Sequence, residues 1–186
     1  MGLTFRAYTG EDLPELMEIW NDILEDGVAF PGTELYDLPE FAAMLEEQSA
    51  VTCMLQDGVL AGYYILHPNN IGRCSHVANA SYAMKKEFRG RGLGKYLVGQ
   101  SLKQAARLGF RGMQFNAVVA GNLAALRIYR NAGFQTVGKI PGGFLLKNGT
   151  YSDMYILYRP LTESGIEMLS ALGLQLSRQL CGGGGL

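Results

Sequence analysis

Apolar positions recur at two spacings along this chain, and the alternation between them lays out its elements. Residues 3–7 read as a short strand, after which Thr9 offers a cap for EDLPELMEIWNDIL, where Leu13, Leu16, Met17, Trp20 and Leu24 fall on one helical face. Gly27, Pro31 and Gly32 break that period, and LPEFAAMLEEQ restores a short amphipathic helix with proline near its first turn. The loop between these helices, Phe30-Pro31-Gly32 through Tyr36, is a candidate pocket wall, as is the later stretch Pro141 to Phe144. AVTCMLQ and VLAGYYILH flank Asp57-Gly58, a two-residue hairpin signature because glycine supplies the positive φ. HVANASYAM reads as the next strand. LGKYLVGQSLKQAARLGF places Leu93, Leu97, Leu102, Ala105 and Leu108 at helical spacing, with Gly109 closing the helix. GMQFNAVV is then a strand, NLAALRIYRNAG a helix capped by Asn122 and stopped at Gly133, FQTVGKI a strand, and YSDMYILYR the last strand, after a loop rich in Pro and Gly.

The order strand, helix, helix, three strands, helix, strand, helix, two strands predicts an α+β domain over residues 1–160 with helices on both faces of its sheet. Residues 161–186 form an appendix in which Ile166, Leu169, Leu172, Leu176 and Leu180 predict an amphipathic helix, followed by a flexible glycine tail, CGGGGL. Its apolar stripe would either pack on its own sheet or make a homodimer contact.

Composition narrows the function classes. The chain has 186 residues, a formal charge of -1 and 48% hydrophobic residues, enough for one core and without the basic surplus of a nucleic-acid-tracking surface. Cys53, Cys74 and Cys181 are odd in number and lack CxxC spacing, so neither a disulfide framework nor a metal site is expected, and a reducing cytoplasm is. The N-terminal LTFRAY has no targeting pattern and no apolar run is long enough for a bilayer, so no membrane partner is expected.

The chemistry gathers in EFRGRGLGKYL, residues 87–97, where three glycines and three basic side chains precede a helix. Glycines at 90, 92 and 94 let backbone N–H groups face an anion, and the helix adds its positive end. Cations at a helix N-terminus oppose the dipole, so a bound anion is the better reason for Arg89, Arg91 and Lys95. A Walker A loop would need glycine at 89 and Ser or Thr after the lysine, where this chain has Arg89 and Tyr96. A dinucleotide fingerprint would need its third glycine where Lys95 stands.

What remains, Arg89-x-x-Gly92-x-Gly94 after a strand and opening a helix, resembles the acetyl-CoA pyrophosphate loop of the GCN5-related N-acetyltransferase (GNAT) superfamily. NLAALRIYRNAGF, residues 122–134, resembles the second cofactor motif of that superfamily, and the element order over residues 3–158 is similar as well. The resemblance implies a GNAT fold: a mixed, mostly antiparallel sheet of about seven strands whose central strand splays at the acetyl-CoA site. It implies acetyl-CoA as acyl donor, held by Arg89, Gly90, Arg91, Gly92, Leu93, Gly94, Lys95, Asn122, Ala125 and Tyr129, with the thioester carbonyl on a backbone N–H near Ala83 or Met84. It implies direct attack by the acceptor amine, and Tyr129 as general acid for the leaving thiolate. The strand HVANASYAM lacks the glutamate that many relatives use as base; His76 is the imidazole near that strand, and an ordered water is the alternative.

IPGGFLLKNGTYSDMYILYRPL, with HVANASYAM and FNAVVAGN, is similar to a narrower branch, that of the fungal proline-analogue N-acetyltransferase and its bacterial relatives. That resemblance implies Asn79 as a substrate-binding residue and Asn116 as a catalytic one. Asparagine is depleted in strands, which makes two in mid-strand a feature in its own right. The expected activity is acetyl transfer to the amine of a small molecule, an amino acid or proline analogue among them. A peptide N-acetyltransferase and a noncatalytic acyl-CoA sensor are the alternatives.

Overall fold

A computed structural model describes residues 2–161; the expected C-terminal helix and glycine tail lie outside the described residues. Seven strands, β1 (Leu3–Ala7), β2 (Ala50–Gln56), β3 (Val59–Pro68), β4 (Val77–Met84), β5 (Gly112–Val119), β6 (Gln135–Leu145) and β7 (Tyr151–Pro160), form one sheet in the order β1-β2-β3-β4-β5-β7-β6. Every neighbouring pair is antiparallel except β4 and β5. Four helices flank it: α1 (Leu13–Asp26), α2 (Leu38–Glu46), α3 (Gly94–Arg107) and α4 (Leu123–Asn131). None is long and apolar enough to cross a membrane, among the described residues.

The sheet separates two cores. Leu16, Ile19, Trp20, Ile23 and Leu24 of α1 recur at helical spacing and pack with Phe41 and Leu45 of α2 on Tyr63, Ile65 and Ala83. Each such burial is worth about 1.5–3 kcal/mol. On the opposite face Leu97, Val98, Leu102 and Ala105 of α3 meet Tyr64, Leu66, Ala78 and Ala80. Strand alternation divides β4 between the two faces: Ala78, Ala80, Tyr82 and Met84 go to the α3 side, and Ala83 packs with α1 and α2.

Two expectations change in detail, for Thr9 and for Pro141 to Phe144, and the structure adds a cap for α2. Thr9 precedes a short 3-10 turn (Gly10–Asp12) instead of α1 itself, and its N–H donates to the Asp12 carboxylate at 2.7 Å. Arg6 forks onto the same carboxylate and holds the Asp12 pKa well below the usual range. For α2 the cap is Asp37, whose carboxylate accepts from the Glu40 N–H at 2.9 Å while Glu40 accepts from the Asp37 N–H at 3.2 Å. Pro141 to Phe144, expected as a loop, belongs to β6, which bulges between Ile140 and Phe144. Proline is tolerated there because β6 is an edge strand, and the Gly142 N–H donates to Asp153 instead of to a ladder partner.

Gly62 sets the spacing between β3 and β4. A Cβ at Gly62 would lie 2.5 Å from the Ala83 carbonyl oxygen and 3.1 Å from the Met84 Cα, both backbone atoms that cannot swing aside. Gly62→Ala is therefore expected to destabilise the fold by about 2 kcal/mol through overpacking. Urea unfolding checks this, and an unchanged midpoint would show that the strands yield freely.

Candidate active site

β4 and β5 pair only at Val77 with Gly112 and Ala78 with Met113, then part. The Lys85 N–H donates to the Ala61 carbonyl and the Asn69 N–H to the Val77 carbonyl, so odd-numbered residues of β4 turn their backbone polar groups to β3. Even-numbered ones turn theirs to β5: the His76 carbonyl accepts from the Arg111 N–H, below the point of parting. Above it, Ala80, Tyr82 and Met84 face an opening. The Ala80 N–H donates to the Asn79 Oδ1 at 2.8 Å, and the Met84 carbonyl accepts from Arg89 Nε at 3.0 Å. The N–H groups of Tyr82 and Met84 are left directed into the gap. Of the two residues expected to hold a thioester carbonyl, Met84 offers its N–H on the open side and Ala83 turns its own to β3.

The gap widens into a cleft of about 850 Å³ lined by β4, by Phe115 to Val119 of β5, by the 89–94 loop and by α4. Gly90 and Gly92 have φ of 74° and 73°, a backbone conformation that side chains resist, and a Cβ on either would meet open space, so conformation and not room requires glycine there. Gly94 opens α3 against α4, where a Cβ would lie 2.9 Å from Ile128 Cδ1. α3 has no side-chain N-cap and no acidic residue in its first turn, so its N-terminus presents uncapped N–H groups and unopposed positive potential. Leu93 is buried beneath it.

The three cations of the loop divide. Arg89 Nη1 pairs with Asp26 at 2.7 Å and its Nε with the Met84 carbonyl, so this side chain ties α1 to the end of β4. Arg91 lies over the Phe88 ring, 5.1 Å from its centroid, and Lys95 over Tyr96 at 4.9 Å; neither has a carboxylate partner among the described residues. Across the cleft Asn122 caps α4, its Oδ1 accepting from the Ala125 N–H at 3.1 Å.

Tyr129 of α4 lies at the base of the cleft in an aromatic stack: Phe115 at 4.6 Å, Phe134 at 5.7 Å and Tyr82 at 6.1 Å between centroids. Burial pushes its phenol well above the ordinary 10.0, so it holds its proton at any physiological pH. Tyr82 is fixed beneath α3 by a 2.7 Å hydrogen bond with Ser101.

Asn79 and Asn116 line the same cleft. Asn116 stands at a bulge of β5, its Nδ2 donating to Asn69 Oδ1 at 2.7 Å and its Oδ1 accepting from Gln114 at 2.8 Å. That bond joins β5 to the chain just beyond β3, across β4. His76 is not brought in. It precedes β4 at the end where β4 and β5 are still paired, is exposed, contacts the Arg73 carbonyl through Nδ1 and lines neither cavity.

A second cavity of about 680 Å³ adjoins the cleft on the α1–α2 face, sharing Phe30, Pro31 and Ser81 with it. Its walls include Glu34 and Tyr36, from the loop expected as a pocket wall, together with Trp20 and His67, neither of which the sequence alone marked as a site residue. His67 registers directly opposite Asn79, so the imidazole beside the central strand comes from β3. The period of two that groups Tyr63, Ile65 and His67 on one face was readable. The register of that strand against β4, set across residues 69–76, was not.

A splayed parallel pair with a glycine loop at a helix N-terminus is the geometry the two sequence motifs implied, and the model of the Acetyltransferase (GNAT) family matches residues 13–134. The chain belongs to that family. Over 98 residues it is 35% identical to N-acetyltransferase aca1 of Schizosaccharomyces pombe, a stretch that is 52% of this chain and 47% of that protein, so the chain spans about half the length of this curated relative. The GCN5-related N-acetyltransferase from Kribbella flavida superposes with a TM-score of 0.79 at 29% identity, covering 85% of this chain and 97% of that one. A GNAT phosphinothricin acetyltransferase from Sinorhizobium meliloti, solved with AcCoA, gives 0.81 at 22% identity over 98% and 97% of the two chains, a likeness of fold. The expected family and its fold stand at that level.

The split among the GNAT loop cations is testable. Arg89→Met is expected to lower stability by about 0.5 kcal/mol, since its ion pair is half exposed, and Arg91→Met to leave stability unchanged while weakening acetyl-CoA binding. Thermal unfolding and calorimetric titration of both variants check this, and equal effects on both readouts would contradict the division.

Proposed function

We propose that this chain transfers the acetyl group of acetyl-CoA to the amine of a small molecule by direct attack. The observation that carries the reading is the junction of the two cavities: Phe30, Pro31 and Ser81 border both the β4–β5 cleft and the pocket on the α1–α2 face. A thioester lying in the cleft and an amine entering from the pocket meet at that border. The pocket's volume is in the range of small-molecule sites. Its roof, Phe30 to Tyr36, is held at its far end by Asn21, whose amide both donates to the Tyr36 carbonyl (2.9 Å) and accepts from the Tyr36 N–H (3.0 Å).

In this reading the pyrophosphate lies on the uncapped N–H groups of α3 beside Gly90, Gly92, Arg91 and Lys95, with Asn122 and Ala125 on the opposite wall. The N–H groups of Tyr82 and Met84 receive the thioester oxygen and stabilise the charge that develops on it. Tyr129 protonates the departing sulfur, a role that its raised pKa keeps available. Asn79 and Asn116 position the acceptor. Direct transfer suits the thiols: Cys53 lies in the core, where burial pushes it up to about 12, and Cys74 lies outside both cavities. Free thiols also suit a cytoplasmic setting.

Thiol release from acetyl-CoA over a panel of amines, with mass detection of the acetylated product, tests the reading. Acetylated product is expected; binding of acetyl-CoA without product from any amine or peptide would favour a sensor. Tyr129→Phe preserves the ring stack and is expected to lower kcat about a hundredfold with little change in acetyl-CoA affinity. Full turnover in that variant would remove Tyr129 from the chemistry.

A further inference from the structure

The charge pattern around the α1–α2 pocket is one-sided. Among the described residues its lining contains two carboxylates, Glu34 and Glu40, one imidazole, and no lysine or arginine. Lys85 pairs with Glu15, Lys86 with Asp22, Arg89 with Asp26, and Lys147 with the Glu25 carbonyl, and Arg73, between His67 and Ser81 in the chain, lies outside the lining. The first three of these carboxylates belong to α1, so the basic end of β4 is neutralised on the pocket side.

The remaining lining is mostly apolar, with Leu24, Leu35, Met44 and Ile65 beside three aromatic rings. Trp20 is buried at the pocket floor with Phe30 at 4.5 Å between centroids, and Tyr36 continues the wall through Phe41, 5.8 Å away. Aromatic faces with carboxylates attract an ammonium group and an apolar body. They give an acceptor carboxylate no cation to pair with, and desolvating such a group unpaired is costly.

His67 completes the pattern. Its Nδ1 lies 2.9 Å from the Pro68 carbonyl, an oxygen that can only accept, so in the neutral imidazole Nδ1 carries the hydrogen and the lone pair is on Nε2. Asn79, the cross-strand partner of His67, lines the adjoining cleft.

Resting on the acetyl-transfer reading, we infer that the acceptor is a cationic amine with an apolar or aromatic body and no carboxylate, and that His67 takes its first proton. The ammonium gives one proton to Nε2. The free amine then attacks the thioester carbon, the C–N bond forms, and the C–S electron pair leaves on sulfur. Sulfur takes the Tyr129 proton, the second nitrogen proton restores Tyr129, and His67 returns its proton to water. The sum is an amide, a thiol and one released proton. This narrows the acceptor away from free amino acids and proline analogues.

The test uses matched acceptors with the full chain: phenylalanine against its amide and phenethylamine, and proline against its amide and pyrrolidine. Removal of the carboxylate is expected to raise kcat/KM by about tenfold or more in each series. Glu34→Lys is expected to narrow that ratio by supplying the missing cation, and His67→Gln to lower kcat about a hundredfold with acetyl-CoA affinity intact. Faster turnover of the carboxylate forms, with acetylation otherwise robust, would overturn the charge preference and leave acetyl transfer standing. Full kcat in the His67 variant would remove His67 from the proton's path. Binding of acetyl-CoA with no product from any acceptor would overturn both.

Discussion

Two residue pairs join β4 to β5 before the strands part, and the chemistry proposed for this chain depends on that early parting. A strand in mid-sheet ordinarily spends its N–H and C=O groups on both neighbours. Here β4 keeps β3 along its whole length and loses β5 after Ala78, so its even-numbered backbone groups face a cleft while remaining held by a strand on the other side. Preorganised donors of this kind cost little reorganisation when charge develops beside them.

The surrounding packing keeps the opening from closing. Tyr82, Phe115, Tyr129 and Phe134 stack in its floor, and the Ser101 hydrogen bond fixes the Tyr82 ring under α3. β5 bulges between Phe115 and Val118, beside the cleft, and the Asn116 to Asn69 bond spans β4 at the same level. Arg89 joins Met84 to Asp26, linking the end of the splayed strand to the helix that walls the α1–α2 pocket. One side chain thus connects the two cavities mechanically.

Much of this was legible from the chain itself. The Gly90 to Gly94 loop, the Asn122 cap and the order of elements carried the fold and the family, because backbone conformation and periodicity are local properties that residue types report directly. The parts that escaped depend on register and tertiary fit. His67 was hidden because its pairing with Asn79 is set across residues 69–76, and His76 drew attention only by closeness in sequence. Trp20 read as a core position of α1, whereas Tyr36 already belonged to the loop expected as a pocket wall. Pro141 to Phe144 looked like a loop because proline and glycine punctuate most strands, whereas an edge strand with a bulge accepts both.

The central claim is that the outward N–H groups of Tyr82 and Met84 receive the thioester oxygen. Residue-resolved amide hydrogen exchange of the full chain, with and without acetyl-CoA, tests it most directly. Binding is expected to slow exchange at Tyr82 and Met84 while leaving Ala83, already turned to β3, unchanged. Protection of the 89–95 loop with no change at Tyr82 or Met84 would contradict it, placing the cofactor on its loop but its acyl group elsewhere.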